Sequence, residues 1–268
     1  MITKIAISGV AGRMGQALVR AAARRKDVKI AGAAERPGAV ALGQDACELA
    51  GLPPCGVVVV ADTAAAAKRA DVWIDFSTPA ATRTAAAALA DTGVRAAIIG
   101  TTGLEAAGEA AVARAAEKIA IVRSGNFSLG LNVLAGLVRQ AAARLGPDWD
   151  IEIVESHHRR KVDAPSGTAL MLGEAAAAGR GRRLHDLRIE PRDGVTGSRP
   201  EGGIGIAVVR AGGLVGEHEV ILASEAESLR LRHHATDRAI FAEGALHAAL
   251  WASTQRPGLY SMQDVLGL

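Results

Sequence analysis

Lys4-Ile5-Ala6-Ile7-Ser8-Gly9-Val10-Ala11-Gly12-Arg13-Met14-Gly15 lies at the start of the chain. Its first five positions are mostly small or β-branched, the pattern of a short strand buried on both faces. Three glycines follow at intervals of three, and residues 14–25 continue as an alanine-rich helical stretch. Glycine permits a tight turn and brings backbone N–H groups close to an anion at a helix N-terminus, where the peptide dipoles favour negative charge. Strand, glycine turn and helix together predict a phosphate-binding loop. The spacing is Gly-x-x-Gly-x-x-Gly instead of the common Gly-x-Gly-x-x-Gly, so its place between strand and helix carries more weight than the glycines alone.

Outward from this loop, short apolar runs at 28–33, 57–60, 72–76, 96–100 and 119–122 read as further buried strands. Helical stretches at 80–92 and 105–117 fall between them. Alternation of this kind predicts an α/β fold, a Rossmann-like doubly wound parallel sheet covered on both faces. Glu35 lies twenty residues beyond Gly15, where such a fold places the carboxylate that binds the adenosine ribose hydroxyls. Arg36 beside it could meet a 2′-phosphate, so the pair favours NADH while tolerating NADPH. Gly100-Thr101-Thr102-Gly103 follows a predicted strand and should face the ligand crevice.

Past residue 126 the pattern changes. A helix is predicted over 129–144 and a strand over 150–156, followed by a helix opening near Ser166. Strands over 187–190, 204–209, 214–223 and 229–233 come without helices between them, and a helix over 239–251 follows. This predicts a second domain of α+β type.

Composition narrows the function classes. Of the 268 residues only 3% are aromatic, and the net charge is +3. That is a poor match to a nucleic-acid binder, which needs a dense basic face with stacking aromatics. No apolar run approaches the roughly 18–20 residues of a membrane span, and the start lacks a signal-peptide pattern. A cytoplasmic protein with no membrane partner is expected. Cys47 and Cys55 are too few for a disulfide framework and lack zinc-ligand spacing, so two thiols and no metal are expected.

The most informative stretch is Glu155-Ser156-His157-His158-Arg159-Arg160-Lys161-Val162-Asp163-Ala164-Pro165-Ser166-Gly167-Thr168. Five basic or titratable side chains follow a strand, and a Pro-Ser-Gly-Thr turn starts a helix. Ser166 suits an N-cap, and the amides of Gly167 and Thr168 would point beyond the helix start. Cations beside a helix N-terminus form an anion site suited to a small carboxylate. Histidine adds a group that passes protons near neutral pH, and a lysine among cations can become a proton donor. A solvated basic loop is the plain alternative, weakened by the dinucleotide loop in the same chain.

These motifs resemble the dihydrodipicolinate reductase family. The Gly-x-x-Gly-Arg-Met-Gly loop, Gly-Thr-Thr-Gly, Asn126-Phe127-Ser128 and Glu-x-His-His-x-x-Lys-x-Asp-Ala-Pro-Ser-Gly-Thr-Ala all match. So do Asp75-Phe76-Ser77, Arg192-Asp193-Gly194-Val195-Thr196-Gly197, Arg210-Ala211-Gly212 and Val215-Gly216-Glu217-His218. The resemblance implies reduction of 4-hydroxy-tetrahydrodipicolinate to tetrahydrodipicolinate by NADH or NADPH, with loss of water, in lysine and diaminopimelate biosynthesis. It implies His157 as general acid/base and Lys161 as proton donor, with His158, Ser166, Gly167 and Thr168 on the substrate carboxylates. Gly9, Val10, Ala11, Gly12, Arg13, Met14, Glu35, Arg36, Gly100, Thr101, Thr102, Ser124, Gly125, Asn126 and Phe127 match the cofactor contacts. It further implies a dinucleotide domain over 1–126, joined again by the tail 240–268. A substrate-binding and oligomerisation domain over 127–239 would form a homotetramer. Arg160, often histidine in relatives, and Ser124-Gly125, where small residues such as alanine are common, are the small departures. A dehydrogenase acting on another small acid would explain the phosphate loop but not the His-His-x-x-Lys stretch. A nucleotide-sensing or nucleic-acid-binding protein explains neither.

Overall fold

The computed structural model describes residues 2–268, which divide into two compact units. In chain order the first elements are β1 (Thr3–Ser8), α1 (Arg13–Ala23), β2 (Val28–Ala34), α2 (Ala46–Leu49), β3 (Val59–Val60) and α3 (Thr63–Ala67). Next come β4 (Val72–Asp75), α4 (Pro79–Leu89), β5 (Ala96–Ile99), α5 (Ala106–Ala116) and β6 (Ala120–Arg123). There follow α6 (Leu129–Arg144), β7 (Asp150–His157), α7 (Gly167–Gly179), α8 (Leu184–Leu187), β8 (Ile204–Arg210), β9 (Gly216–Ala223) and β10 (Ser228–Ala235). The chain ends with α9 (Ala239–Ala252), β11 (Gly258–Tyr260) and α10 (Met262–Leu266).

One unit comprises residues up to Leu129 together with Ala239–Gly267. Its seven strands are ordered β11-β6-β5-β4-β1-β2-β3, and every pairing is parallel. This is the doubly wound sheet expected from the alternating runs. Strands buried on both faces explain why those runs carry few polar residues. Ile5, Ile7 and Ile74 pack on one side with Leu18 of α1 and Ala245, Leu246 and Ala249 of α9. Trp73, Ala97 and Ile121 pack on the other with Ala85 and Leu89 of α4 and Val112 of α5. Thr78 caps α4 and Pro79 occupies its first turn, where a missing N–H costs nothing. The segment after residue 238 adds β11 beside β6.

The other unit spans Gly130–Arg238 and holds a mixed four-stranded sheet, β10-β9-β7-β8. β7 runs parallel to β8 and antiparallel to β9. Ile151, Ile153, Ile204, Val220 and Leu222 form one face, packed with Leu134 and Val138 of α6 and Leu172 and Ala176 of α7. The period of two leaves Val154, Ala207, Val209 and Ile221 on the opposite face, where Arg230 pairs with Glu219 at 3.4 Å and Arg232 with Glu217.

Two expectations are corrected. The strand predicted over 187–190 does not form: its first residue, Leu187, ends the short helix α8, and beyond it only Arg188 makes an isolated bridge, to Ile204. Leu184 at the start of α8 is drawn into the core against Gly173, where a Cβ would lie 2.9 Å from it, and that packing holds the helical turn that takes Leu187 out of the strand. The two cysteines expected as thiols form a disulfide. The Asp45 carboxylate accepts from the N–H groups of Cys47, Cys55 and Gly56, gathering both ends of the loop until the Cys Cα atoms stand 5.8 Å apart. The sequence pattern had also left α2, α3, β11 and α10 unassigned; all are short.

Candidate functional site

In the parallel-sheet unit the predicted cofactor residues gather at the carboxyl edge of the strands, around the point between β4 and β1 where strand order reverses. Gly9 has φ 64°, a left-handed turn that favours glycine. Gly12 donates to the Gly9 carbonyl at 3.0 Å and heads α1 without a side-chain cap. No acidic residue stands in the first turn of α1, so its N-terminal amides are left for an anion. Gly15 lets the helix close on the turn, since a Cβ there would sit 2.3 Å from the Gly9 carbonyl oxygen.

Glu35 follows β2, and its carboxylate accepts from Ala11 N–H at 3.3 Å and Arg36 N–H at 3.0 Å. Arg36 is exposed beside it, as is Arg13 on the loop. Gly100 follows β5 under the Phe76 ring, where a Cβ would come within 2.0 Å of it, and Phe76 meets Phe127 edge-on at 5.2 Å. Thr101 is buried, with its hydroxyl 2.7 Å from that of Thr82 on α4, and Thr102 beside it is exposed. After β6, the Ser124 hydroxyl donates to the Asn126 carbonyl at 2.7 Å, and the Asn126 side chain accepts from Ser128 N–H at 2.8 Å. Gly125 faces open space. Val10 is buried beneath the loop and Met14 packs against the core.

A dinucleotide fits this edge: free helix amides for a pyrophosphate, a carboxylate for ribose hydroxyls, and glycines where the backbone must be approached. Asp75, Phe76, Ser77 and Thr82 help to shape it but had no assigned role. Asp75 is buried and accepts from Ser77 N–H at 2.9 Å. A buried acid at the end of an apolar strand was the available signal.

In the mixed-sheet unit β7 carries Glu155 and His157 two residues apart, on the face that buries Ile151 and Ile153. Glu155 is fully buried, and its Oε2 lies 2.6 Å from His157 Nδ1. Arg210, at the end of β8, donates to both Glu155 oxygens at 2.7 and 2.8 Å and to the Asp163 carbonyl at 2.7 Å. Burial by itself would raise the Glu155 pKa. Hydrogen bonds from Arg210, His157 and Ser166 N–H outweigh it and hold the carboxyl below its ordinary range.

His218, opposite Glu155 on β9, packs edge-on to His157 with ring centroids 5.1 Å apart. Its Nε2 lies 3.2 Å from the Ser166 hydroxyl. Burial, and then the neighbouring His157, pushes its pKa down to about 4. Ser166 caps α7 by accepting from Ala169 N–H at 3.1 Å, while Gly167 beyond it faces open space and Thr168 is half-buried.

The loop after β7 is clasped by the Arg210-Ala211-Gly212 turn. Ala211 N–H donates to the His157 carbonyl at 2.9 Å, and Arg159 N–H to the Gly212 carbonyl at 3.2 Å. Lys161 rests on Asp163, Nζ 2.8 Å from both carboxylate oxygens, and this hydrogen bond lowers the Asp163 pKa. His158 Nε2 accepts from Arg238 at 3.0 Å, with its pKa lowered by burial and by Arg160 and Arg238. The structure places His157, His158, Lys161 and Ser166 on β7, the loop after it and the start of α7. It adds Glu155, Arg210, His218 and Arg238, all joined through the sheet or by chain reversal.

Asp45, Cys47 and Cys55 form a compact group of potential metal ligands among the described residues. The sulfurs are bonded to each other and the carboxylate is occupied by backbone N–H groups, so this group offers no free ligand set.

Two family models, described as dihydrodipicolinate reductase N-terminus and C-terminus, match residues 3–127 and 130–266. A 4-hydroxy-tetrahydrodipicolinate reductase of Rhodopseudomonas palustris is 52% identical over 99% of this chain and 97% of its own. The enzyme of the same name from Rhizobium rhizogenes is also 52% identical, with the same shares covered. Among solved structures, a dipicolinate-bound dihydrodipicolinate reductase from Paenisporosarcina sp. TG-14 superposes with a TM-score of 0.79 at 25% identity, covering 98% of this chain and 99% of that one.

Proposed function

The chain belongs to the dihydrodipicolinate reductase family, and we propose that it reduces 4-hydroxy-tetrahydrodipicolinate to tetrahydrodipicolinate, with loss of water, in diaminopimelate and lysine biosynthesis. The observation that carries this reading is the Ser166-capped start of α7, open at Gly167, in one hydrogen-bonded group with His157 and beside the His158–Lys161 loop. Fixed N–H donors next to cations and a proton-transferring imidazole suit a small dicarboxylate that must gain a proton as it is reduced.

A reduced nicotinamide cofactor supplies the hydride. The loop from Gly9 to Met14, together with Glu35, Gly100, Thr101, Thr102 and the segment from Ser124 to Phe127, would hold it. Glu35 suits unphosphorylated ribose, and the exposed Arg36 suits a 2′-phosphate, so NADH is preferred and NADPH is used. His157 acts as general acid/base and Lys161 as proton donor once released from Asp163. His158 and the Ser166–Thr168 turn orient the substrate carboxylates. A homotetramer assembled through the open face of the mixed sheet, and a cytoplasmic setting, complete the proposal.

The test is oxidation of NADH, followed by its near-ultraviolet absorbance, with the coupled dihydrodipicolinate synthase product as substrate. Substrate-dependent oxidation is expected. Lys161→Ala should lower turnover on the order of 10²–10⁴-fold, the usual worth of a positioned proton donor, with NADH affinity nearly unchanged. Loss of cofactor affinity instead would place the loop in the nucleotide site.

A further inference from the structure

We propose that Glu155, clamped by Arg210, is a positioning residue for His157: it fixes the imidazole with Nδ1 protonated and leaves Nε2 as the nitrogen that exchanges a proton. The inference rests on the role proposed above for His157. All four acceptor positions of Glu155 are filled. Oε1 accepts from Ser166 N–H at 2.9 Å and from Arg210 at 2.8 Å, while Oε2 accepts from Arg210 at 2.7 Å and faces His157 Nδ1 at 2.6 Å. An ionised carboxylate can only accept, so the nitrogen turned towards it must carry the proton. Arg210 and the Ser166 amide keep the carboxylate ionised inside the core, and the tautomer is thereby set before substrate arrives.

The other ring nitrogen is left clear by the facing strand. A Cβ on Gly216 would lie 3.1 Å from His157 Nε2, so glycine at that position keeps this atom unobstructed. Stability alone does not account for the arrangement. Glu155 occupies the face that carries Ile151 and Ile153, and an apolar residue paired with an apolar partner at 210 would often be as stable as a buried ion pair. The residues on either side of the pair also belong to the site: Ser166 caps the carboxylate-binding turn, and Arg210 holds the Asp163 carbonyl of the Lys161 loop.

The test has two arms. Ring ¹⁵N spectra of His157 in the wild-type protein, at a pH where the ring is neutral, should show Nδ1 protonated. A neutral ring protonated at Nε2 overturns the proposal. In the second arm, Glu155→Gln should lose on the order of 10²–10⁴-fold in kcat, the scale of losing a tautomer-fixing carboxylate, while KM and the affinity for dipicolinate stay within about threefold. Unchanged kcat, or kcat and dipicolinate affinity falling together, would sink it. If Glu155→Gln does not fold, the wild-type spectrum still decides. Turnover by the wild type is measured first, so that a wrong substrate assignment shows there and not in the ring spectrum.

Discussion

At the scale of single residues, most of the chemistry depends on which proton sits where. His218 is held neutral by burial, with its pKa pushed down to about 4 from 6.5. On unfolding it regains the ordinary value, so between these limits the unfolded chain binds a proton that the folded chain refuses. The stability this group contributes is complete above about pH 6.5 and lost as the pH falls through about 4, roughly 3 kcal/mol in all. Urea unfolding at pH 7 and pH 5 should show this decline, and His218→Gln should flatten it. An equal slope in the variant would assign the decline to other groups. On the ribose role proposed for its carboxylate, Glu35→Ala should weaken NADH by more than it weakens NADPH. Equal losses, measured by titration of both cofactors, would remove that role. The two residues are not equally legible in the sequence. Glu35 is marked by its distance from the glycine loop, whereas His218 lies in a family motif that says nothing of its partner until β9 pairs with β7.

At the scale of elements, the loops and helix starts do the positioning. Ser166 shows how much one position carries: it caps α7, donates its N–H to Glu155 and meets His218 through its hydroxyl. Ser166→Ala should cost about 1 kcal/mol through the lost cap and should also raise KM for the substrate. Thermal unfolding and steady-state kinetics would check both, and a destabilised variant with unchanged KM would leave Ser166 a cap alone. The main elements of the parallel sheet were readable because each strand is a buried apolar run whose identity is local. The strand expected over 187–190 failed for the opposite reason: Leu184 packs under Gly173, a distant contact that fixes the α8 turn up to Leu187 and leaves Arg188 with a single bridge to Ile204. The helices α2, α3 and α10 span four or five residues and the strand β11 three, too brief for periodicity to register.

At the scale of the molecule, each unit has a core of its own. The mixed sheet buries one face and leaves Val154, Ala207, Val209 and Ile221 uncovered by its own helices, with Val209 42% exposed. An apolar strip rimmed by ion pairs is the expected centre of an interface between copies. Val209→Arg should reduce the assembly to smaller species in light scattering, and an unchanged mass would move the interface elsewhere.

Sequence alone determined the parallel α/β sheet and the family, and it located the glycine loop, Glu35 and the His157–Thr168 stretch as candidates. Each of these is written in neighbouring residues, through buried runs, glycine turns and a helix cap. Only the tertiary structure decided that Glu155 faces Arg210 and His157, that His218 reaches Ser166, and that Cys47 meets Cys55. Those pairings depend on strand register and loop closure, where a shift of one residue would turn every side chain to the other face.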